Sequence, residues 1–223
     1  MRSHLSEPER RVVLAAASRL LQYPDDGLLD QLPLLREAAQ GIAARAGRPL
    51  LRFIEHAHRS ALLDLQADYV ATFDLRRRYC LYLSYHLNGD TRRRGMALWR
   101  FQELYRSHGY SLASGELPDF LPAVLELAAE TEAIEPGSEA AEPEVAEPLD
   151  LLVEHQPAIE SLGHALEQAG SPYADVIVAL EAALPPPSRA VLEAARRLET
   201  EGPPAEQVGL EPWGSGAEPG IRT

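Results

Sequence analysis

Lysine is absent from this chain, so all 21 of its basic residues are arginine. A guanidinium pairs with carboxylates through a bidentate fork that an ammonium cannot form. Cysteine is nearly absent as well. Cys80 stands alone, which excludes an intramolecular disulfide, a C-x-x-C redox pair and a cysteine zinc site. A single thiol also fits a reducing compartment. No apolar run approaches the ~18 residues that a membrane-spanning helix needs, so the expectation is a soluble, cytoplasmic protein. "RRVVLAAASRLL" has the look of a twin-arginine export signal, but Arg19 interrupts its apolar stretch and no small-residue cleavage site follows. It reads as a helix of the mature chain.

A basic excess is missing too. Residues 130–223 hold 19 carboxylates against 4 arginines, so the formal charge of −13 belongs to the back half. The front half is close to neutral, which makes it a poor candidate for nucleic-acid binding. G-x-S-x-G, Walker A, G-x-G-x-x-G and H-E-x-x-H are all absent. The 7 histidines do not supply a metal site instead. His56 and His58 are two apart on a helical stretch and point about 200° apart. His86, His108, His155 and His164 have no acid or cysteine at ligand spacing. Nothing reads as an active site.

Strand-type alternation is also lacking, and helical spacing fills its place. Ser6 and Glu9 form a capping box ahead of Val13, Ala16, Ala17, Leu20 and Leu21. A second helical stretch is expected from Leu28 to Ala46, broken or bent at Pro33, and a longer one from Pro49 to Val70. "YCLYLSYHL" is apolar around most of a helical circumference, so it reads as a segment buried on several sides or as a short strand. "NGDT" makes a turn, and Ala97, Leu98, Phe101, Leu104 and Tyr105 stripe the next helix, which ends where Gly109 can take a left-handed cap. In "ELPDFLP", Asp119 as N-cap places Pro122 in the first turn of a helix buried through Leu121, Val124, Leu125 and Ala128. Further helices are expected at 149–168, with a break at Pro157, at 173–184 and at 189–199. The fold class is therefore all-α: one helical unit over residues 5–184, an acidic mobile linker at 131–147 within it, and a tail at 185–223 with a short helix and then disorder.

Charge and aromatic side chains gather in the middle of the chain. Arg92, Arg93 and Arg94 stand in the first turn of a helix, where the macrodipole disfavours them. Arg94 lies on the side of Ala97, Leu98 and Phe101 and needs a carboxylate, for which Asp74, Asp90 and Asp119 are candidates. Tyr69, Phe73, Tyr79, Tyr82, Tyr85, Trp99, Phe101, Tyr105 and Phe120 fall in the same region. Most belong to a core, and a subset beside arginines and acids would form a groove for an amphipathic helix.

The block "YVATFDLRRRYCLYLSYHLNGDTRRRGMALWRFQELYRSHGYSLASGELPDFLPAVLELAAE", residues 69–130, resembles the NarJ family of assembly chaperones for respiratory nitrate reductases. The tyrosine-rich segment, "GDTRRRGMAL" and "ELPD-LP" occur together and in order. The resemblance extends from about residue 10 to 184. It implies a cytoplasmic, non-catalytic helical chaperone that binds the N-terminus of the apo catalytic subunit. The chaperone would keep that subunit competent for insertion of molybdenum cofactor before membrane docking, holding no cofactor tightly itself. Cofactor-biosynthesis proteins are further implied partners. The candidate client-binding residues are Tyr69, Phe73, Asp74, Tyr82, Tyr85, Asp90, Arg94, Trp99, Glu116, Leu117, Asp119 and Phe120. The family's pattern carries a histidine where this chain has Phe120, so no role of that histidine transfers. On this reading Asp119→Ala weakens client activation more than stability. A chaperone for another molybdenum reductase shares every feature above, and a small helical enzyme built on His86 with Asp74 or Asp90 is the rival from another class.

Overall fold

The Ser6 hydroxyl accepts the N–H of Glu9 at 3.4 Å while the Glu9 carboxylate accepts the N–H of Ser6 at 2.8 Å. This is the expected capping box, and it opens α1 (Glu7–Leu20). The second oxygen of Glu9 accepts the N–H of Ala43 at 2.9 Å, which ties the start of α1 to the start of α3 (Ala44–Arg59). The computed structural model describes residues 5–89, 91–112, 115–131 and 147–186, with Arg189, Leu192, Glu193 and Arg196 beyond them. The expected linker, the tail and most of the 189–199 helix lie outside the described residues.

Helix α2 (Asp26–Gln40) begins at Asp25, whose carboxylate accepts the Leu28 N–H at 2.7 Å. It continues through Pro33 as one helix, so the expected break does not occur there. Pro33 lies on the exposed face, where water can satisfy the carbonyl that loses its helical partner. The chain instead breaks at Gly41 and restarts as α3 at Ala44, ahead of Pro49. Gly47 lets α2 and α3 meet: a Cβ there would sit 2.4 Å from the carbonyl oxygen of Ala39. The expected helix to Val70 is two helices. Ser60 is extended (φ −93°, ψ 145°) and its hydroxyl donates to the His56 carbonyl at 2.8 Å, after which α4 (Leu62–Tyr69) sets off and ends in a π turn at Val70–Asp74.

The remaining elements are α5 (Leu83–Asn88), α6 (Arg92–Ser107), α7 (Leu121–Thr131), α8 (Pro148–Glu154), α9 (Gln156–Gln168) and α10 (Ala174–Ala183). Among the described residues the fold is all-α, with one isolated antiparallel bridge between Tyr82 and Phe120. Helix α6 ends as expected, with Gly109 at φ 80° and the Tyr110 N–H returning to the Tyr105 carbonyl at 2.9 Å. Pro157 falls in the first turn of α9, so the expected break is the α8–α9 junction.

Helix α1 is the centre of the packing, with α7 against one side and α2, α3 and α10 against others. Its alanines allow close approach, and the buried Ser18 hydroxyl donates to the Pro122 carbonyl of α7 at 2.7 Å. Tyr69, Phe73, Phe53 and Tyr173 interlock across α3, α4 and the start of α10. Ring centroids are 4.9 Å apart for Tyr69–Phe73 and 4.8 Å for both Phe53–Tyr173 and Phe73–Tyr173. Tilted aromatic contacts of this kind contribute about 0.5–1.5 kcal/mol each beyond area burial. The π turn is what swings Phe73 into that cluster.

Candidate functional site

The bridge between Tyr82 and Phe120 organises the central block. The Leu83 N–H donates to the Asp119 carbonyl at 3.0 Å and the Leu121 N–H donates to the Leu81 carbonyl at 2.7 Å. Tyr82 and Phe120 lie side by side with centroids 5.6 Å apart. Because the bridge sets Asp119 beside the start of α5, its side chain reaches that helix rather than α7. One carboxylate oxygen accepts the Ser84 N–H at 3.0 Å and the Ser84 hydroxyl at 2.5 Å. Helix α7 begins at Leu121, so its N-cap position is Phe120 and Asp119 is not its cap. The expected capping role is thus moved to another helix, and the reason is the bridge.

Asp119 is fully buried, and its other carboxylate oxygen has no hydrogen-bond partner. Arg94 meets it indirectly: the Arg94 Nε–H donates to the Ser84 hydroxyl at 3.3 Å. The Arg94 guanidinium lies 5.6 Å from the centre of the Tyr85 ring, within cation–π range. Two further side chains stiffen this region. The His86 Nε2–H donates to the Cys80 carbonyl at 2.8 Å, and burial pushes the His86 pKa down, so the ring is neutral. Asn88 donates to the Ser84 carbonyl at 3.1 Å. The phenol of Tyr82 is pushed up, first by partial burial and then by the carboxylate of Asp119, with Asp74 adding a smaller push.

These placements sort the candidate residues. Tyr82, Tyr85, Arg94, Asp119 and Phe120 come together at the α5–α7 junction. Tyr69 and Phe73 belong to the aromatic core and have little surface left. Asp74 and Glu116 are exposed, while Asp90 lies outside the described residues. Trp99 is 56% exposed on α6, beside Met96 at 67%, and Leu117 is partly open in the loop before α7. Positions 96 and 99 are three apart on one helix, so these two large apolar side chains share a face. Ser84, which joins Asp119 to Arg94, was not among the expected residues; its signal was a small hydroxyl inside an aromatic run. Among the described residues no group of three or more His, Cys, Asp or Glu side chains could hold a metal ion, and no helix is long and apolar enough to cross a membrane.

Comparison with known proteins gives this chain a family. A family described as the nitrate reductase delta subunit matches residues 34–179. The "Probable nitrate reductase molybdenum cofactor assembly chaperone NarJ" of Bacillus subtilis (strain 168) is 32% identical over 181 residues, covering 81% of this chain and 92% of its own. The "Nitrate reductase molybdenum cofactor assembly chaperone NarJ" of Escherichia coli (strain K12) is 35% identical over 173 residues, or 73% of this chain and 65% of its own. The "Nitrate reductase-like protein NarX" of Mycobacterium tuberculosis (strain ATCC 25618 / H37Rv) is 38% identical over 169 residues. That match takes in 76% of this chain but spans only 24% of NarX. The chain therefore belongs to the nitrate reductase delta subunit family, with NarJ-type proteins among its relatives.

Proposed function

We propose that this protein is a dedicated assembly chaperone. It binds the N-terminal segment of the apo catalytic subunit of a nitrate reductase and keeps that subunit open for insertion of molybdenum cofactor before membrane docking. The carrying observation is the match to the Bacillus subtilis assembly chaperone over 92% of that protein's length. A non-catalytic, cytoplasmic role follows from the same reading, with the cofactor as cargo of the client rather than a resident group.

The surface offers a way to do this. Trp99 and Met96 on α6, with Leu117 before α7, are large apolar side chains turned to water, and such anchors dominate helix-in-groove recognition. Tyr82, Tyr85 and Phe120 line the adjoining junction half-buried, and Asp74 and Glu116 supply exposed carboxylates for a basic client residue. Asp119 acts from behind this surface, by fixing α5. Ordering a free peptide costs about 2–5 kcal/mol of the gross interaction, which keeps the complex releasable. A pull-down with the intact catalytic subunit and with a form lacking its N-terminal segment tests the reading. Capture of the intact form alone supports it, and equal capture of both overturns the N-terminal mode.

A further inference from the structure

Helix α6 turns more than Trp99 and Met96 to water. At about 100° per residue, Arg92, Met96 and Trp99 fall in one line along it, with Arg93 and Arg100 on the flank, and all are exposed. Arg100 is paired with Glu154 of α8 at 2.7 Å, so the positive excess gathers at the start of the helix, around Arg92 and Arg93. The helix dipole disfavours cations in a first turn, and a carboxylate arriving there relieves both. The strip is thus two large apolar anchors beside a basic end. The partner that fits it is a segment whose apolar side chains are interleaved with carboxylates.

This chain carries such a segment. Residues 198–221 hold five carboxylates and no base, and Val208, Leu210 and Trp213 fall close together there, beside Glu206 and Glu211. The path to α6 is short. The Pro185 carbonyl accepts the Gln156 amide N–H at 2.6 Å, and the two residues before Gln156 touch α6. Glu154 holds Arg100, and His155 packs on Phe101 with ring centroids 5.0 Å apart. The chain therefore leaves α10 beside the junction that flanks α6. Arg196 is the last described residue, and the stretch from there to Val208 spans at most roughly 40 Å, about the width of a folded unit of this length.

We infer that residues 206–213 of this chain dock on the α6 strip, with Trp213 against Met96 and Trp99 and the two glutamates toward Arg92 and Arg93. Tethering holds the segment near the strip at an effective concentration of about 1 mM, so a weak contact suffices. The contact itself does not depend on the chaperone reading. Its consequence does rest on that reading: the protein covers its own apolar anchors while empty, and a client segment must displace the tail.

The sequence has two tryptophans, so the full chain grown with 5-fluorotryptophan gives two fluorine resonances, assigned with Trp99→Phe and Trp213→Phe. The Trp213 resonance should lie away from that of the labelled peptide 204–215 free in solution, and Met96→Ala should return it most of the way. Arg92→Gln combined with Arg93→Gln, or sodium chloride at about 0.5 M, should move it in the same direction. Trp213→Ala should in turn move the Trp99 resonance. Melting curves matching the parent, as expected for exposed positions, exclude misfolding as the cause. A Trp213 resonance at the free-peptide position overturns the inference, as does one that Met96→Ala leaves in place. A Trp213 shift that fades on dilution makes the partner a second copy and overturns it too. With the contact in place, Trp213→Ala should bind a peptide from the client N-terminus at least about threefold more tightly. Unchanged client affinity beside mutual tryptophan shifts keeps the contact and removes α6 from the client surface, so the two readings fail separately.

Discussion

Asp119 holds the first turn of α5 from a position 35 residues further along the chain, accepting the Ser84 N–H at 3.0 Å and the Ser84 hydroxyl at 2.5 Å. A carboxylate at a helix start satisfies orphan N–H groups and favours the positive end of the helix dipole. Together with the Tyr82–Phe120 bridge, it ties the start of α5 to the segment that leads into α7.

Asp119→Ala should therefore act on stability first. Removing a buried acceptor that serves two donors costs about 2–3 kcal/mol, which a urea midpoint will register. Asp119→Asn, which keeps one oxygen acceptor, should lose less. Well below the melting temperature, either variant should still bind a client peptide within about twofold of the parent. An unchanged midpoint with abolished binding would instead make Asp119 a direct contact, the outcome expected from the sequence.

Trp99→Ala should show the opposite pattern. An exposed side chain away from special features shifts stability by no more than about 0.5 kcal/mol. Loss of a large aromatic anchor from an interface costs about 2 kcal/mol or more in binding, roughly thirtyfold. Denaturation and peptide titration on the same sample separate the two effects, and retained affinity would remove α6 from the client surface.

Much of the fold could be read in advance, and the misses share a cause. The capping box at Ser6–Glu9, the α6 stripe, the left-handed Gly109 and the break at Pro157 are local, so neighbours in sequence determine them. The breaks at Gly41 and Ser60 and the continuity through Pro33 depend on which face meets solvent, which spacing alone does not give. The site divides in the same way. Sequence identified the aromatic and charged block, but the reassignment of Asp119 from α7 to α5 depends on a bridge between segments far apart in the chain. Ser84 was invisible for that reason, as was the entry of Phe73 into the core beside Tyr69 through a π turn.

Gly163→Ala should loosen the α9–α10 contact. A Cβ at Gly163 would lie 2.8 Å from Ile177 Cγ2 and 2.9 Å from Glu181 Oε1. The flexible carboxylate can swing aside, whereas Ile177 is buried and cannot. Overpacking of this kind costs about 1–3 kcal/mol, measurable by urea denaturation. A variant as stable as the parent would mean the two helices are not in close contact.

Stability should also depend on pH through Glu181. Its carboxyl is pushed up to about 7 in the folded chain from an ordinary 4.5. Between those values the folded state keeps a proton that the unfolded state has released, so this residue's contribution is full below about 4.5 and is lost as pH rises through 7. His86 and His155 are pushed down by burial. Their contribution runs the other way, present above about 6.5 and lost on acidification. The difference between Glu181→Gln and the parent cancels the histidines. It should grow in the variant's favour from pH 5 to pH 8, and parallel curves would show that Glu181 titrates normally.

Calorimetric titration of the full chain with a peptide of about the first fifteen residues of the nitrate reductase catalytic subunit from the same organism, a length suited to helix-in-groove recognition, tests the central claim most directly. The account predicts saturable binding that Trp99→Ala weakens strongly and Glu181→Gln leaves unchanged. No binding by a folded sample, or binding indifferent to Trp99, would contradict it.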